Sequence, residues 1–286
     1  VQVAGPGVLT LDRARAGAEP GVAELIDLEH GFVHFEVVGA GEPVVLVHGL
    51  FTPMFVWDEV LPELASRWRV LRYDQYGRGL SERPTGSYGL ERYVAQLDAV
   101  CRSVHGEQPV RLVAYSWGCG VAAAFAAAWP GRVRQLVLLA PGGLEAGGIG
   151  AAVLRTPCLG ELALALGARQ ALAADLRRCF AEPERFEAFQ ARVQDQRRFE
   201  GYERTLLATL RGCPTEFGEQ YRAAGERVAV DVLWGTADRK VPVRLLDRLR
   251  GWLPGVVVHL IEGAEHGLLI ERGPEVAGRL VEVLSR

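Results

Sequence analysis

Lysine is nearly absent from this chain, and paired cysteines and any strong charge bias are missing. Lys240 is the only lysine in a set of 32 basic residues, so the arginine excess reads as coding bias rather than a basic binding surface. The formal net charge is −3, which gives no general electrostatic reason to expect nucleic acid or an anionic membrane as partner. Five cysteines (Cys101, Cys119, Cys158, Cys179 and Cys213) make an odd number, with no C-x-x-C or Cys/His metal spacing. That argues against a disulfide framework and a zinc site. Free thiols point to a reducing compartment, so a cytoplasmic location is expected. No metal, nucleotide or flavin motif occurs, and no cofactor or metal is expected.

One long uncharged run needs explanation. Residues 112–131 carry no charge, which meets the length rule for a membrane span. The run contains Ser116, Gly118, Gly120, Pro130 and Gly131, and its apolar content is mostly alanine. A strand followed by a helix explains it better, so no integral membrane segment is expected. Residues 1–21 are rich in Gly, Ala and Pro, read as a loose leader, and lack a signal-peptide pattern.

What is present is a large apolar fraction: 49% hydrophobic and 23% charged residues over 286 positions. Such a chain can bury one large core. Apolar runs that read as strands occur at 44–47, 70–73, 110–115, 135–140, 228–234 and 256–261, after an alternating hairpin pattern over 25–38. Helical patterns such as 88–104 and 120–129 alternate with them, which predicts a mostly parallel sheet covered on both faces.

The most informative segment is Leu112-Val113-Ala114-Tyr115-Ser116-Trp117-Gly118. A strand runs into a serine and straight on into a helix, with small residues two before and two after the serine. That order and spacing suit a tight turn that exposes a nucleophile at a helix N-terminus. Serine is a poor nucleophile at neutral pH, so a base and an orienting acid are required. Loops leaving later strands offer Asp238, in Gly235-Thr236-Ala237-Asp238, and His266, in Glu262-Gly263-Ala264-Glu265-His266-Gly267. Of the other histidines, His259 lies in a strand pattern, His30 and His34 in the hairpin, and His105 after a helix. Glu145, following the strand near 136–139, is an alternative acid.

From about Leu25 to its C-terminus the chain resembles the α/β-hydrolase-fold serine hydrolases. The serine turn, the pair His48-Gly49 after the strand 44–47, and Arg72-Tyr73-Asp74-Gln75-Tyr76-Gly77-Arg78-Gly79 carry the resemblance. The last segment resembles a turn found in carboxylesterases, monoacylglycerol-lipase-like enzymes and meta-cleavage-product hydrolases. The resemblance implies a catalytic triad of Ser116, Asp238 and His266, in the chain order of that fold, and an oxyanion hole from the Phe51 and Trp117 amides. It gives His48, Asp74 and Arg78 structural roles. It also implies a helical cap after the sixth strand, where 144–225 shows several helical patterns and no convincing strand. The expected division is a core over 22–143 and 226–286 with the cap between.

Trp57 and Tyr115 are expected to line the substrate pocket, and Leu154, Leu159, Leu166, Phe186 and Phe189 to pack mostly inside the cap. Serine rather than aspartate at 116 argues against epoxide hydrolases and haloalkane dehalogenases. The expected activity is hydrolysis of small to medium apolar carboxylic esters. A C–C hydrolase of a vinylogous 1,5-diketone and a biosynthetic thioesterase or acyltransferase are the alternatives, with a non-catalytic receptor as a fourth. Leu50-Phe51-Thr52 and Ala114-Tyr115-Ser116 replace the Gly-Pro-Gly and Gly-Asn-Ser segments typical of the C–C hydrolases.

Overall fold

Runs of valine and leucine that are apolar on both faces form the centre of one sheet, since only strands covered on both sides can bury them. The computed structural model describes residues 24–286; the leader expected over 1–21 lies outside the described residues. β1 (Glu24–Leu28) and β2 (Gly31–Val38) form the expected hairpin. Six strands follow: β3 (Pro43–Val47), β4 (Arg69–Tyr73), β5 (Val110–Tyr115), β6 (Val133–Leu139), β7 (Val230–Gly235) and β8 (Val257–Ile261). The sheet order is β1-β2-β4-β3-β5-β6-β7-β8. β2 pairs antiparallel with both β1 and β4, and every pairing from β4 across to β8 is parallel. The chain steps from β3 outward to β4, then returns to place β5 on the other side of β3. That reversal opens a crevice at the carboxyl ends of β3 and β5, where ligands of open α/β sheets bind.

The helices that cover the sheet follow the sequence pattern. α1 (Leu61–Ala65) and the amphipathic α2 (Leu90–His105) precede β5. α2 ends at Gly106, with φ 63°, the left-handed stop that glycine adopts at least cost. α3 (Gly118–Ala128) is small and apolar all round and almost wholly buried, as a helix without a polar face must be. The uncharged run 112–131 is therefore β5, a tight turn and α3. Among the described residues no single helix is long and apolar enough to cross a membrane.

Between β6 and β7 the chain makes a helical excursion: α4 (Ile149–Arg155), α5 (Leu159–Ala163), α6 (Arg169–Arg177), α7 (Pro183–Arg197), α8 (Tyr202–Gly212) and α9 (Gly218–Gly225). It has small cores of its own, one built on Leu176, Cys179, Phe180, Phe186, Phe189 and Val193 and another on Leu154, Leu164 and Leu207. Two residues expected inside it, Leu159 and Leu166, are instead 51% and 78% exposed. α9 packs differently from the rest. Phe217 and Tyr221 belong to the main core, and a Cβ on Gly120 would lie 2.4 Å from the Phe217 ring. The glycine lets α3 and α9 touch, so the last helix of the 144–225 segment packs as part of the main layer. α10 (Leu246–Trp252), α11 (Leu268–Glu271) and α12 (Gly273–Leu284) complete the chain.

Candidate active site

The turn between β5 and α3 is strained. Ser116 has φ 52°, a left-handed backbone that costs energy for any residue with a Cβ and persists only where its surroundings hold it. Those surroundings are explicit. The Ser116 amide donates to Leu139 O at 2.9 Å, and its carbonyl accepts from Cys119 N at 3.1 Å and Gly142 N at 3.0 Å. Ala114 is fully buried, and a Cβ on Gly118 would sit 2.3 Å from His48 O. The small-x-Ser-x-Gly spacing is thus a steric requirement: α3 begins against the backbone that leaves β3.

The loops after β7 and β8 bring a carboxylate and an imidazole to this serine. The Ser116 hydroxyl donates to His266 Nε2 at 2.9 Å, and His266 Nδ1–H donates to Asp238 Oδ2 at 2.8 Å. The second oxygen of Asp238 accepts the amides of Lys240 at 2.8 Å and Val241 at 2.7 Å. Asp238 and His266 are both buried. The two loops are also tied to each other, because Arg239 pairs with Glu265 at 2.7 Å. Tyr115 fixes the base from the elbow side, its hydroxyl donating to His266 O at 2.9 Å. Glu145 lies elsewhere in the cavity wall, 3.6 Å from Arg244. The imidazole is held by Asp238.

Ser116 faces a cavity of about 710 Å³, large enough for a small organic molecule. Phe51, Tyr115, Trp117 and His266 line it beside the serine. Among the described residues neither the Phe51 nor the Trp117 amide has a backbone acceptor. The excursion supplies further wall through Leu154, expected to pack mostly inside the cap, and through Leu172, Leu176 and Phe180, which the sequence did not single out because the helical patterns there show no unique inward face. An ion pair between Asp175 of α6 and Lys240 lies in the same wall and joins the excursion to the loop carrying Asp238. The Gly267 amide donates to Cys179 O at 2.6 Å, so the residue after the imidazole is strapped to the excursion as well.

Trp57 is a correction. Expected in the pocket, it is fully buried in the main core and absent from the cavity wall. It packs edge-on beneath Tyr115 at 6.5 Å between ring centroids, and Tyr115 takes the lining position.

The loop after β3 is rigidly braced. His48 is fully buried, and burial holds its imidazole down at about 4, so it is neutral near pH 7. Its Nε2 accepts from Gln75 N at 2.9 Å while Nδ1 lies 2.7 Å from Gly49 O. That arrangement fixes Nδ1 as the protonated nitrogen and leaves none free for a substrate. Asp74 accepts from Met54 N and Leu80 N and pairs with His34 at 2.6 Å, pinning both sides of the same region.

The sequence model of the alpha/beta hydrolase fold matches residues 42–273. Over 112 residues the chain is 42% identical to the 2-hydroxy-6-oxo-2,4-heptadienoate hydrolase of Pseudomonas putida, covering 38% of this chain. The match spans 40% of that relative's length. The enol-lactonase of Burkholderia xenovorans LB400 superposes with a TM-score of 0.72 at 22% identity, over 92% of this chain and 100% of that one. A meta-cleavage product hydrolase from Pseudomonas fluorescens IP01 gives 0.74 at 19% identity, over 92% and 97%. These two share the fold with the present chain. With the family pattern running through the elbow, both later loops and the sheet that carries them, the chain belongs to the α/β-hydrolase fold family.

Proposed function

We propose that the protein is a serine hydrolase that cleaves carboxylic esters of small to medium apolar compounds through an acyl-enzyme on Ser116. The observation that carries this reading is the continuous chain from Ser116 Oγ through His266 to Asp238, with links of 2.9 and 2.8 Å, opening on a cavity walled mostly by aliphatic and aromatic side chains.

In this mechanism His266 Nε2 takes the hydroxyl proton as Ser116 Oγ attacks the ester carbonyl carbon. Asp238 holds the Nδ1–H tautomer and stabilises the imidazolium. The oxyanion is received by the Phe51 and Trp117 amides, which have no backbone acceptor among the described residues, and the Trp117 amide lies at the N-terminal end of α3. Collapse breaks the C–O bond, His266 returns the proton to the departing alkoxide, and the alcohol leaves. A water then repeats the sequence on the acyl-enzyme, its proton passing to His266 and on to Ser116 as the acid is released. The helical excursion acts as a cap, and by excluding water it strengthens every electrostatic interaction inside the site.

A second reading is favoured by the P. putida relative. The compound in that relative's name has a carboxylate and a ketone but no ester, so its hydrolysis breaks a carbon–carbon bond. Arg155, in the cavity wall without a carboxylate partner among the described residues, is the group that would take such a carboxylate. Steady-state rates on p-nitrophenyl esters from acetate to palmitate, set beside 2-hydroxy-6-oxo-2,4-heptadienoate, separate the two. The ester reading expects a Ser116-dependent optimum at one chain length. Turnover of the dienoate with none of the esters would overturn it.

A further inference from the structure

Arg78 is 2% exposed, and among the described residues no carboxylate lies within ion-pairing distance of it. A buried guanidinium without a counterion is costly, and a neutral donor would serve equally well if filling a hydrogen-bonding vacancy were the only need. Asp74, four residues earlier, is already committed to His34, Met54 N and Leu80 N. Arg78 spends its donors on carbonyls instead: Nη1 on Gly77 O at 3.0 Å and Nε on Leu50 O at 2.6 Å. Tyr202 of α8 covers the guanidinium, 5.8 Å from ring centroid to charge centre, and keeps water from it.

The Leu50 carbonyl shares its peptide plane with the Phe51 N–H. No peptide bond among the described residues is cis, so that N–H points opposite to its carbonyl. Arg78 stands outside the cavity wall, and Phe51 lies within it beside Ser116. Holding Leu50 O against Arg78 therefore turns the Phe51 N–H toward the serine. The preceding carbonyl, Gly49 O, is held by His48 in the same way at 2.7 Å, so two consecutive peptides are locked.

We infer that Arg78 is a positioning residue for the reaction: its charge, acting through the Leu50 carbonyl, both aims and polarises the Phe51 amide that receives the oxyanion. A charged donor on a carbonyl makes a hydrogen bond about twice as strong as a neutral one, and polarising one end of a peptide strengthens donation at the other. The charge is thereby delivered to the developing oxyanion without a basic side chain entering the apolar cavity. The inference rests on the serine-hydrolase reading given above.

The test compares wild type, Arg78→Gln (a neutral donor) and Arg78→Lys (charge retained). The readouts are the second-order rate of fluorophosphonate inactivation at Ser116 and the kcat and KM for a p-nitrophenyl ester. Fluorophosphonate needs the oxyanion site but no knowledge of the natural ester. Arg78→Gln is expected to lose about tenfold in inactivation rate and kcat, a fraction of what deleting an oxyanion donor costs, with KM unchanged and an intact thermal transition. Arg78→Lys is expected to recover most of that loss. A folded Arg78→Gln as reactive as wild type, or an equal loss in both variants, would overturn the inference. Should Arg78→Gln not fold, wild type still decides: the Phe51 amide proton should move downfield on phosphonylation, and an unmoved resonance would overturn it. A wild type that fluorophosphonate does not label would overturn the serine-hydrolase reading itself.

Discussion

Replacing Asp238 with asparagine tests the site at the point where its geometry is most restrictive. One oxygen of Asp238 accepts two backbone amides, from Lys240 and Val241, and the other accepts the imidazole Nδ1–H. An asparagine has one acceptor end and one donor end. Two backbone donors outweigh one side-chain donor, so the amide oxygen takes the loop side and the NH₂ faces His266. Facing a donor, Nδ1 must give up its proton, and the imidazole switches to the tautomer protonated at Nε2. That nitrogen can no longer take the proton of Ser116. The expected fall in kcat is roughly ten-thousand-fold, the size found when a triad aspartate is so replaced, or about 5.5 kcal/mol of barrier. The fold should lose little: two charge-assisted bonds become neutral ones, a cost of about 1–2 kcal/mol. Ester hydrolysis measured alongside a thermal melt checks both parts. Glu145→Gln, at an exposed position in the cavity wall that pairs among the described residues only with Arg244, should leave kcat within about twofold. An Asp238→Asn protein with more than a tenth of wild-type kcat, or a larger loss in Glu145→Gln, would refute the reasoning.

Three further outcomes are expected. Burial holds His48 near 4 and lowers His105 in the same direction, so both are neutral in the folded protein while the unfolded chain protonates them below about 6.5. Stability should therefore fall as pH drops from 7 to 5, by about 2 kcal/mol for His48 alone; an unchanged urea midpoint across that range would contradict this. Gly118→Ala would drive a Cβ to within 2.3 Å of His48 O and 2.8 Å of Val47 O. It should cost about 3 kcal/mol or more and slow fluorophosphonate labelling, and a melting temperature equal to wild type would count against the close packing of α3 on the β3 loop. Burial pushes the thiols of Cys101, Cys179 and Cys213 up to about 12 and that of Cys119 higher still. Only the exposed Cys158 should react quickly with Ellman's reagent in the native protein; two or more fast equivalents would show that the others are accessible.

The parallel core was readable because most of its strands are short runs rich in valine and leucine with Gly or Pro close behind, and β5 to β7 are buried nearly throughout. The serine turn was readable for a steric reason, since Ala114 and Gly118 are small where the β3 loop crosses. Asp238 and His266 stood out because they sit in loops that leave strands whose carboxyl edges must converge on one crevice. Composition and spacing could not decide whether an aromatic near the loop faces core or cavity, and Trp57 faces core. Nor could helical periodicity show that α9 packs on α3, because that contact depends on Phe217 meeting a glycine about a hundred residues earlier. Most of the cavity wall from 147 to 180 escaped for the same reason: apart from Arg155, Asp175 and Phe180 its inward residues are small or aliphatic, and only the packed excursion gives them a direction.

The covalent step is the centre of the account, and intact-protein mass spectrometry reads it directly. Wild type and Ser116→Ala would be quenched in acid during turnover of a p-nitrophenyl ester and then peptide-mapped. The account expects an acyl adduct on the peptide carrying Ser116 in wild type, and in Ser116→Ala neither an adduct nor ester hydrolysis above roughly a thousandth of the wild-type rate. Undiminished hydrolysis by Ser116→Ala, or wild-type turnover with the acyl group on another residue, would contradict it.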